Sequence, residues 1–388
     1  MDGRCYGADM STAAPATPAV PTEPLVLVRR DGAITHVTLN RPRAINALSE
    51  EMFGILARAL GAARTAAREA DAPTAILLDG AGERGFCGGG DIKELSGVGS
   101  VRILALEYAV DHWIATSPVP VVAIMDGIAM GGGIGLGGHA AHRIVTERSR
   151  LAMPEVRIGI APDVGGHLLL SRAPGRLGEF LAVTAGEFGA ADALALGFAD
   201  HFVPSARLGD LRAALAAGEE PGLACARFAE PAPRPAAGSV IDAATWWDPI
   251  AAAALGTEHP AASADPAGAA TRLSAALAAS DHPEAAATAE LVAGMCPTSV
   301  AVTLAQLDRT CRERLDLAAV LADDLRVLGR LAPRPDFAEG VRAQVIDKDR
   351  TPAWSPATIA DLDPAVLAAI VDPRLAPGEA ALDLTPAV

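Results

Sequence analysis

Met130-Gly-Gly-Gly-Ile-Gly-Leu-Gly-Gly138 is the stretch on which the reading of this chain turns. It follows an apolar run, Val119-Pro-Val-Val-Ala-Ile-Met125, with the composition of a buried strand. Asp126-Gly127 between the two signals a turn. A helix that begins on bare glycines presents backbone N–H groups that have no partner within the helix. Such groups suit a negative charge, either a bound anion or an oxyanion formed in a reaction. Two carboxylates follow, Glu155 and Asp163, eight positions apart. Amide donors with carboxylates close behind point to acyl chemistry. The segment from Val119 to Gly166 is thus the centre around which the rest is organised.

Upstream, Leu25–Val28 and Ile34–Leu39 flank Asp31-Gly32 and predict a hairpin. Ser49 has the character of an N-cap, with Glu50 and Glu51 in the first turn and apolar residues at helical spacing beyond. That helix is expected to end near Asp71-Ala-Pro73, before a short buried strand, Ala75–Leu78. A second glycine segment, Gly80-Ala-Gly-Glu-Arg-Gly-Phe-Cys-Gly-Gly-Gly-Asp91, lets backbone N–H groups approach a ligand closely. Its default reading is a tight turn with Asp91 as the cap of the next helix. A helix from about Val101 to Ala115 carries Glu107, and strands are expected at His142–Thr146 and Arg150–Met153. Asp163–Leu170 begins another helix. Strands alternating with helices in this way argue for an α/β domain of roughly 180 residues, 24–205.

Beyond Pro204 the chain turns Ala-, Leu- and Arg-rich and helical, with no convincing strand or repeat. Residues 206–296 read as a helical, insert-like region and 297–388 as a helical C-terminal region ending in a loose tail. Residues 1–23 read as a disordered leader, in which Met10 is an alternative start to Met1.

The chain of 388 residues is 51% hydrophobic and can bury a large core. No run of about twenty apolar residues is present, so no membrane-spanning helix is expected. A net charge of −15 argues against nucleic acid and membranes as partners. Five cysteines, at 5, 87, 225, 296 and 311, are scattered without metal spacing. Reduced thiols and a cytoplasmic location are expected.

Several chemistries compete for these residues. Gly133, Gly135 and Gly138 fit G-x-G-x-x-G, with Glu155 twenty positions after Gly135, the outline of a dinucleotide fingerprint. That reading leaves the Cys87–Asp91 loop and Asp163 unused. Two glycine sites, at Gly90 and Gly132, suit a two-donor oxyanion hole. By default Glu155 would pair with a nearby Arg, Asp163 would cap a helix and Glu107 would face solvent. No G-x-S-x-G elbow is present, the histidines have no metal spacing, and Cys87 has no evident base.

Four motifs carry a resemblance. Asn40-Arg-Pro-Arg-Ala-Ile-Asn-Ala-Leu48, Gly85-Phe-Cys-Gly-Gly-Gly-Asp-Ile-Lys93, Gly127-Ile-Ala-Met-Gly-Gly-Gly133 and Met153-Pro-Glu-Val-Arg-Ile-Gly159 resemble the enoyl-CoA hydratase/isomerase (crotonase) superfamily. Within it, Pro162-Asp-Val-Gly-Gly166, Gly135 where hydratases carry a catalytic glutamate, and the C-terminal Phe337–Ala343, Ile346–Asp349 and Pro352–Pro356 are similar to the 3-hydroxyisobutyryl-CoA hydrolase branch. The resemblance implies a crotonase-like α/β core of repeated ββα units with a helical C-terminal region. It implies hydrolysis of a 3-hydroxyacyl-CoA thioester, as in valine catabolism, with no metal or redox cofactor and coenzyme A entering as part of the substrate. Gly90 and Gly132 would be the oxyanion-hole donors. Glu155 would be the catalytic carboxylate and Asp163 would contact the substrate hydroxyl or assist proton transfer. Glu107 and Asp91 would contact substrate, and Arg41, Arg43 and Lys93 would meet the CoA nucleotide portion. An enoyl-CoA hydratase or isomerase is the alternative: Gly135 disfavours a plain hydratase, while Asp163 keeps isomerase chemistry open, and a non-catalytic acyl-CoA-binding role stays open as well. Relatives often form homo-oligomers.

Overall fold

The computed structural model describes residues 23–69, 71–95, 99–235 and 238–385. The leader expected over 1–23, with the alternative start at Met10, lies outside the described residues except for Glu23.

Four ββα units follow one another. Val26–Asp31 (β1) and Ile34–Leu39 (β2) form the antiparallel hairpin before the helix Glu50–Ala66. Ser49 caps that helix, its Oγ accepting from Met52 N at 3.3 Å. Ala75–Gly80 (β3) and Gly85–Cys87 (β4) lead through the short helix Ile92–Leu95 to Ser100–Ala115. Val121–Met125 (β5) and Ile128–Met130 (β6) lead to Gly132–Gly138. His142–Val145 (β7) and Arg150–Ala152 (β8) lead to Gly166–Ser171. His201–Phe202 (β9) is the last strand among the described residues.

The order β1-β2-β3-β5-β7-β9 makes one six-stranded sheet, parallel after its hairpin, and β4-β6-β8 makes a small parallel sheet. In each of the last three units, then, the first strand enters the large sheet and the second crosses to the small one. Gly127 makes one such crossing: its φ is 76°, and a Cβ there would lie 2.7 Å from Gly85 Cα. Strand β6 was not expected from the sequence. Three residues are too few to show a period, and their partners, β4 and β8, lie far away in the chain.

The large sheet is covered on both faces, which is why β5 is buried at every position and reads as an unbroken apolar run. Val121, Ala123 and Met125 face the main core, while Val122 and Ile124 face a smaller core closed by the helices Leu208–Ala216 and Pro221–Phe228. The helices Val240–Leu255, Pro266–Ala278, Pro283–Ala293, Pro297–Glu313, Leu317–Leu331 and Pro335–Val341 complete the main core.

Residues 206–296 are therefore built into the protein, in contrast to the insert-like region expected. Trp247 is fully buried, sits edge-on to Phe180 at 5.2 Å, and donates from Nε1 to Arg176 O at 2.8 Å. The Asp192 carboxylate accepts from the amides of Val240 and Ile241. The expected loose tail is also docked. Trp113 Nε1 donates to Leu384 O at 2.8 Å, and Arg330 pairs with Glu379 at 2.7 Å while donating to the carbonyls of Ile370 and Asp372. No single helix among the described residues is long and apolar enough to cross a membrane.

Candidate active site

Two glycine segments meet at one cavity of about 80 Å³. Gly88–Gly90 follow β4 and Gly131–Gly132 follow β6, so the pairing of these two strands brings the segments side by side. Leu48 holds the first: its N–H donates to Gly89 O at 2.9 Å, and its carbonyl accepts from Asp91 N at 2.7 Å. That bridge leaves the Gly90 amide unspent. The Gly132 amide opens a helix that has no side-chain cap. A Cβ placed on Gly132 would lie 3.3 Å from Gly90 N and 2.4 Å from Glu107 Oε1. The two amides flank one space, and a glycine at 132 keeps it open.

Three carboxylates reach the same cavity, and all are buried. Glu107 comes from Ser100–Ala115, Glu155 opens the single helical turn Glu155–Arg157 after β8, and Asp163 lies in the loop before Gly166–Ser171. Each default reading fails for a reason of packing. Glu107 is not solvated, because its helix is covered by Glu50–Ala66, by Leu317–Leu331 and by the glycine helix. Glu155 is not paired with Arg157, which donates to the carbonyls of Thr184 and Ala185 at 3.3 Å, and Glu155 Oε2 is buried without a partner. Asp163 is not a cap: the helix starts at Gly165 without one, and Asp163 Oδ2 accepts from the Tyr108 hydroxyl at 2.7 Å.

Burial, and then the charge of Asp163, push both Glu107 and Glu155 well above the usual carboxylate range. Asp163 is pushed up to about 7, by burial first and the Asp324 carboxylate second, with the Tyr108 hydroxyl acting the other way. Acids crowded like this cannot all ionise, so the group keeps protons at neutral pH and titrates as a unit. Ile158, Ile160, Leu328, Ala332 and Phe337 form the apolar wall. Pro335–Val341 backs directly on the turn of Glu155, since a Cβ on Gly340 would lie 2.4 Å from Ile158 Cα. A motif distant in sequence thus seats the carboxylate.

The other expected site residues lie away from the cavity lining. The Asp91 carboxylate accepts from Arg41 Nη1 at 2.7 Å and from Lys93 N at 3.1 Å, as a cap of the Ile92–Leu95 helix, and lies outside the cavity lining. Arg41 is correspondingly committed to Asp91 and to Ala47 O. Arg43 and Lys93 are exposed, Lys93 beside the lining residue Ile92. Cys87 is fully buried and its thiol is pushed up to about 12, chiefly by burial, which makes it a poor nucleophile. The dinucleotide outline dissolves into packing: a Cβ on Gly135 would meet Asp111 Oδ2 at 2.7 Å, and one on Gly138 would meet Leu169 at 2.8 Å. Among the described residues no group of three His, Cys, Asp or Glu is placed to hold a metal ion.

Sequence reading missed Tyr108, Asp111, Asp324 and the wall from the C-terminal region. One signal was available, because Asp324 lies in line with Val320, Leu321, Leu328 and Leu331 on an apolar helical stripe. Asp111 leads to a prediction. It is fully buried, neither carboxylate oxygen has a partner, and burial followed by Glu107 pushes it well above the usual range. The folded state then holds a proton that the unfolded chain releases near pH ~3.9. Stability contributed at low pH is lost as the pH rises above that value, because the native state binds more protons. Asp111→Asn should therefore raise the Tm by about a few degrees at pH 8 and leave it near the parent's at pH 4. Thermal unfolding at the two pH values checks this, and an equal offset at both would overturn it.

The chain matches the enoyl-CoA hydratase/isomerase family over residues 34–371. It is 36% identical over 347 residues to the mitochondrial 3-hydroxyisobutyryl-CoA hydrolase of Mus musculus, covering 87% of this chain and 86% of that protein. The counterpart from Danio rerio is 34% identical over 352 residues, covering 86% of each. Among solved structures, a carnitinyl-CoA dehydratase from Mycobacterium thermoresistibile is 36% identical with a TM-score of 0.80, covering 93% of this chain and 98% of that one. An enoyl-CoA hydratase from Rhodobacter sphaeroides 2.4.1 is 35% identical with a TM-score of 0.77, covering 90% and 98%. Near-equal coverage on both sides, the ββα architecture and the paired glycine segments agree: this chain belongs to the enoyl-CoA hydratase/isomerase family and has the crotonase fold.

Proposed function

We propose that this protein hydrolyses a 3-hydroxyacyl-CoA thioester, with 3-hydroxyisobutyryl-CoA the preferred substrate. The observation that carries the reading is the convergence of two glycine amides with Glu107, Glu155 and Asp163 on one small cavity. The thioester carbonyl oxygen would accept from the amides of Gly90 and Gly132, which stabilise the tetrahedral oxyanion as it forms. Glu155, in its ionised form, would attack the carbonyl carbon or draw a proton from the attacking water. The C–S bond breaks, and the sulfur takes a proton held by the neighbouring Asp163; where Glu155 is the nucleophile, water then cleaves the resulting anhydride, releasing the free acid and restoring the Glu155 carboxylate. A single proton shared by Glu155 and Asp163 meets both needs: one base and one acid. Glu107 and Asp163 would also hydrogen-bond a 3-hydroxyl, in a cavity otherwise walled by Ile, Leu, Ala and Phe. Arg43 and Lys93, exposed on the surface, remain the proposed contacts for the anionic CoA nucleotide.

A second reading is hydration or isomerisation of an enoyl thioester, favoured by the likeness to the solved carnitinyl-CoA dehydratase and enoyl-CoA hydratase. Against it stands Gly135, whose side-chain space is filled by Asp111, so the glycine helix delivers no second carboxylate.

Release of free thiol from 3-hydroxyisobutyryl-CoA, 3-hydroxypropionyl-CoA and crotonyl-CoA separates the readings. Thiol is expected from the two 3-hydroxyacyl thioesters only. Loss of the enoyl absorbance of crotonyl-CoA without thiol release would replace hydrolysis by hydration. Silence on all three would remove the reading.

A further inference from the structure

The loop that carries Asp163 is held in an unusual conformation. Val164 has a φ of 52° and Gly165 a φ of 73°. A β-branched residue rarely enters that left-handed region, and it stays there only where the surroundings over-determine the backbone. Two side chains clamp the turn. His139 Nε2 lies 2.9 Å from Val164 O, and Asp324 Oδ2 accepts from Gly165 N at 2.9 Å. The other oxygen of Asp324 lies 2.8 Å from His167 Nε2, and His167 Nδ1 lies 2.9 Å from Thr310 Oγ1. Asp324 and His167 are both fully buried. Neither belongs to the cavity lining, so the proposed chemistry leaves them without a task.

We propose that Asp324, brought from the C-terminal helix Leu317–Leu331, is a positioning residue for Asp163: paired with His167, it clamps the Val164–Gly165 turn and so sets where the Asp163 carboxyl points and when it holds its proton. The inference rests on the hydrolase reading above. The groups facing Asp163 are Glu107, Tyr108 and Asp111 from Ser100–Ala115, Glu155 from its turn, His167, and Asp324 from Leu317–Leu331; His139 bonds the next residue of the loop, and Asp323 acts on His167. Asp323 is already tied to Arg309 and Arg326. The Asp324–His167 pair is therefore the one whose charge is balanced internally and can be unbalanced from either side.

The signs follow. Burial and then Asp324 raise Asp163, while His167 acts weakly the other way. Removing the carboxylate lowers the Asp163 pKa whether or not His167 keeps its charge; removing the imidazole leaves the buried Asp324 without its counter-charge, so Asp324 takes up a proton and Asp163 again moves lower.

The test uses the full chain with Asp324→Asn, which keeps an acceptor for Gly165 N, and His167→Gln. The pH profile of kcat for thiol release should move about one pH unit lower in Asp324→Asn and in the same direction in His167→Gln. Asp324→Ala, which also removes that acceptor, should in addition lower kcat about tenfold or more with KM nearly unchanged, as for a misdirected group. Unmoved profiles in Asp324→Asn and His167→Gln, with only a lower Tm, would reduce the pair to a structural role and overturn the proposal. A second readout does not depend on turnover: the infrared band of the protonated carboxyl that disappears in Asp163→Asn should titrate with the same downward displacements. If the parent releases no thiol, the hydrolase reading fails, and this band alone decides the inference. A band midpoint common to parent and variants would end it.

Discussion

Glu155→Gln should lower kcat for thiol release by about a thousandfold or more, while coenzyme A still binds within about threefold of the parent. The glutamine has nearly the same shape but cannot ionise, so it can neither attack the thioester nor take a proton from water. What would remain is the stabilisation proposed for the Gly90 and Gly132 amides, which would act independently of the carboxylate. The fold should not suffer. Among the described residues Glu155 makes no salt bridge and its Oε2 has no partner, and it is crowded by Asp163, Asp324 and Glu107. Removing a buried, repelled acid relieves a cost, so the Tm should hold or rise at neutral pH. Steady-state kinetics with titration calorimetry of coenzyme A checks both halves. Near-normal turnover would sink the assignment of Glu155, and lost coenzyme A binding would mean that the substitution had damaged the site as a whole.

Asp163→Asn should cost about a hundredfold in kcat, again without loss of thermal stability. The amide oxygen can still accept from the Tyr108 hydroxyl, now 2.7 Å from Oδ2, so the local hydrogen bond survives. The acidic proton does not survive, and nor does the coupling to Glu155 that leaves one of the two ionised. The upper limb of the pH profile, set in the parent by the loss of the shared proton, should disappear or move. The penalty should be larger for 3-hydroxyisobutyryl-CoA than for isobutyryl-CoA if Asp163 also meets the 3-hydroxyl. A fall in Tm with unchanged kcat would return Asp163 to the role of a structural group. Both outcomes are informative because the structure separates Asp163 from capping: the following helix begins on Gly165.

The two expectations share a cause. Concentrating Glu107, Asp111, Glu155, Asp163 and Asp324 in one buried volume costs stability, since each charge is desolvated beside others of the same sign. A fold tolerates such a volume where the crowding keeps an acid and a base in reach of the same carbonyl. Asp111 is the informative contrast. It has the burial and the repulsion but no place in the cavity lining, so its substitution should show the stability cost with the least interference from chemistry.

Much of the scaffold was legible in the chain itself. The hairpin at Asp31-Gly32, the Ser49 cap, the buried strand before the glycines and the helix over Ser100–Ala115 rest on turn chemistry, capping and periodicity within a few residues. Gly90, Gly132, Glu155 and Asp163 could be singled out because each lies in a short motif. Their purpose was not equally legible. The glycine series satisfied a dinucleotide outline and an oxyanion site alike, and only the seating of Gly135 against Asp111 and of Gly138 against Leu169 shows which glycines serve packing.

Tertiary structure alone decided the surroundings of the acids. Glu107 looks like a surface residue on its own helix and becomes buried because Leu317–Leu331, two hundred residues onward, lies across it. The Asp163 loop is clamped by that same helix, and the cavity wall borrows Leu328, Ala332 and Phe337 from the C-terminal region. The division has a physical reason. Backbone conformation responds to neighbours a few residues away, so local sequence determined the hairpin, the longer strands and the helix starts, and with them which glycines expose their amides, while the pairing of β4 with β6 brings those amides together. Burial, and with it the protonation state of a side chain, responds to whatever lies within a few ångströms in space. For Glu107, Glu155 and Asp163 those neighbours come from distant parts of the chain and are assembled only when the C-terminal helices dock.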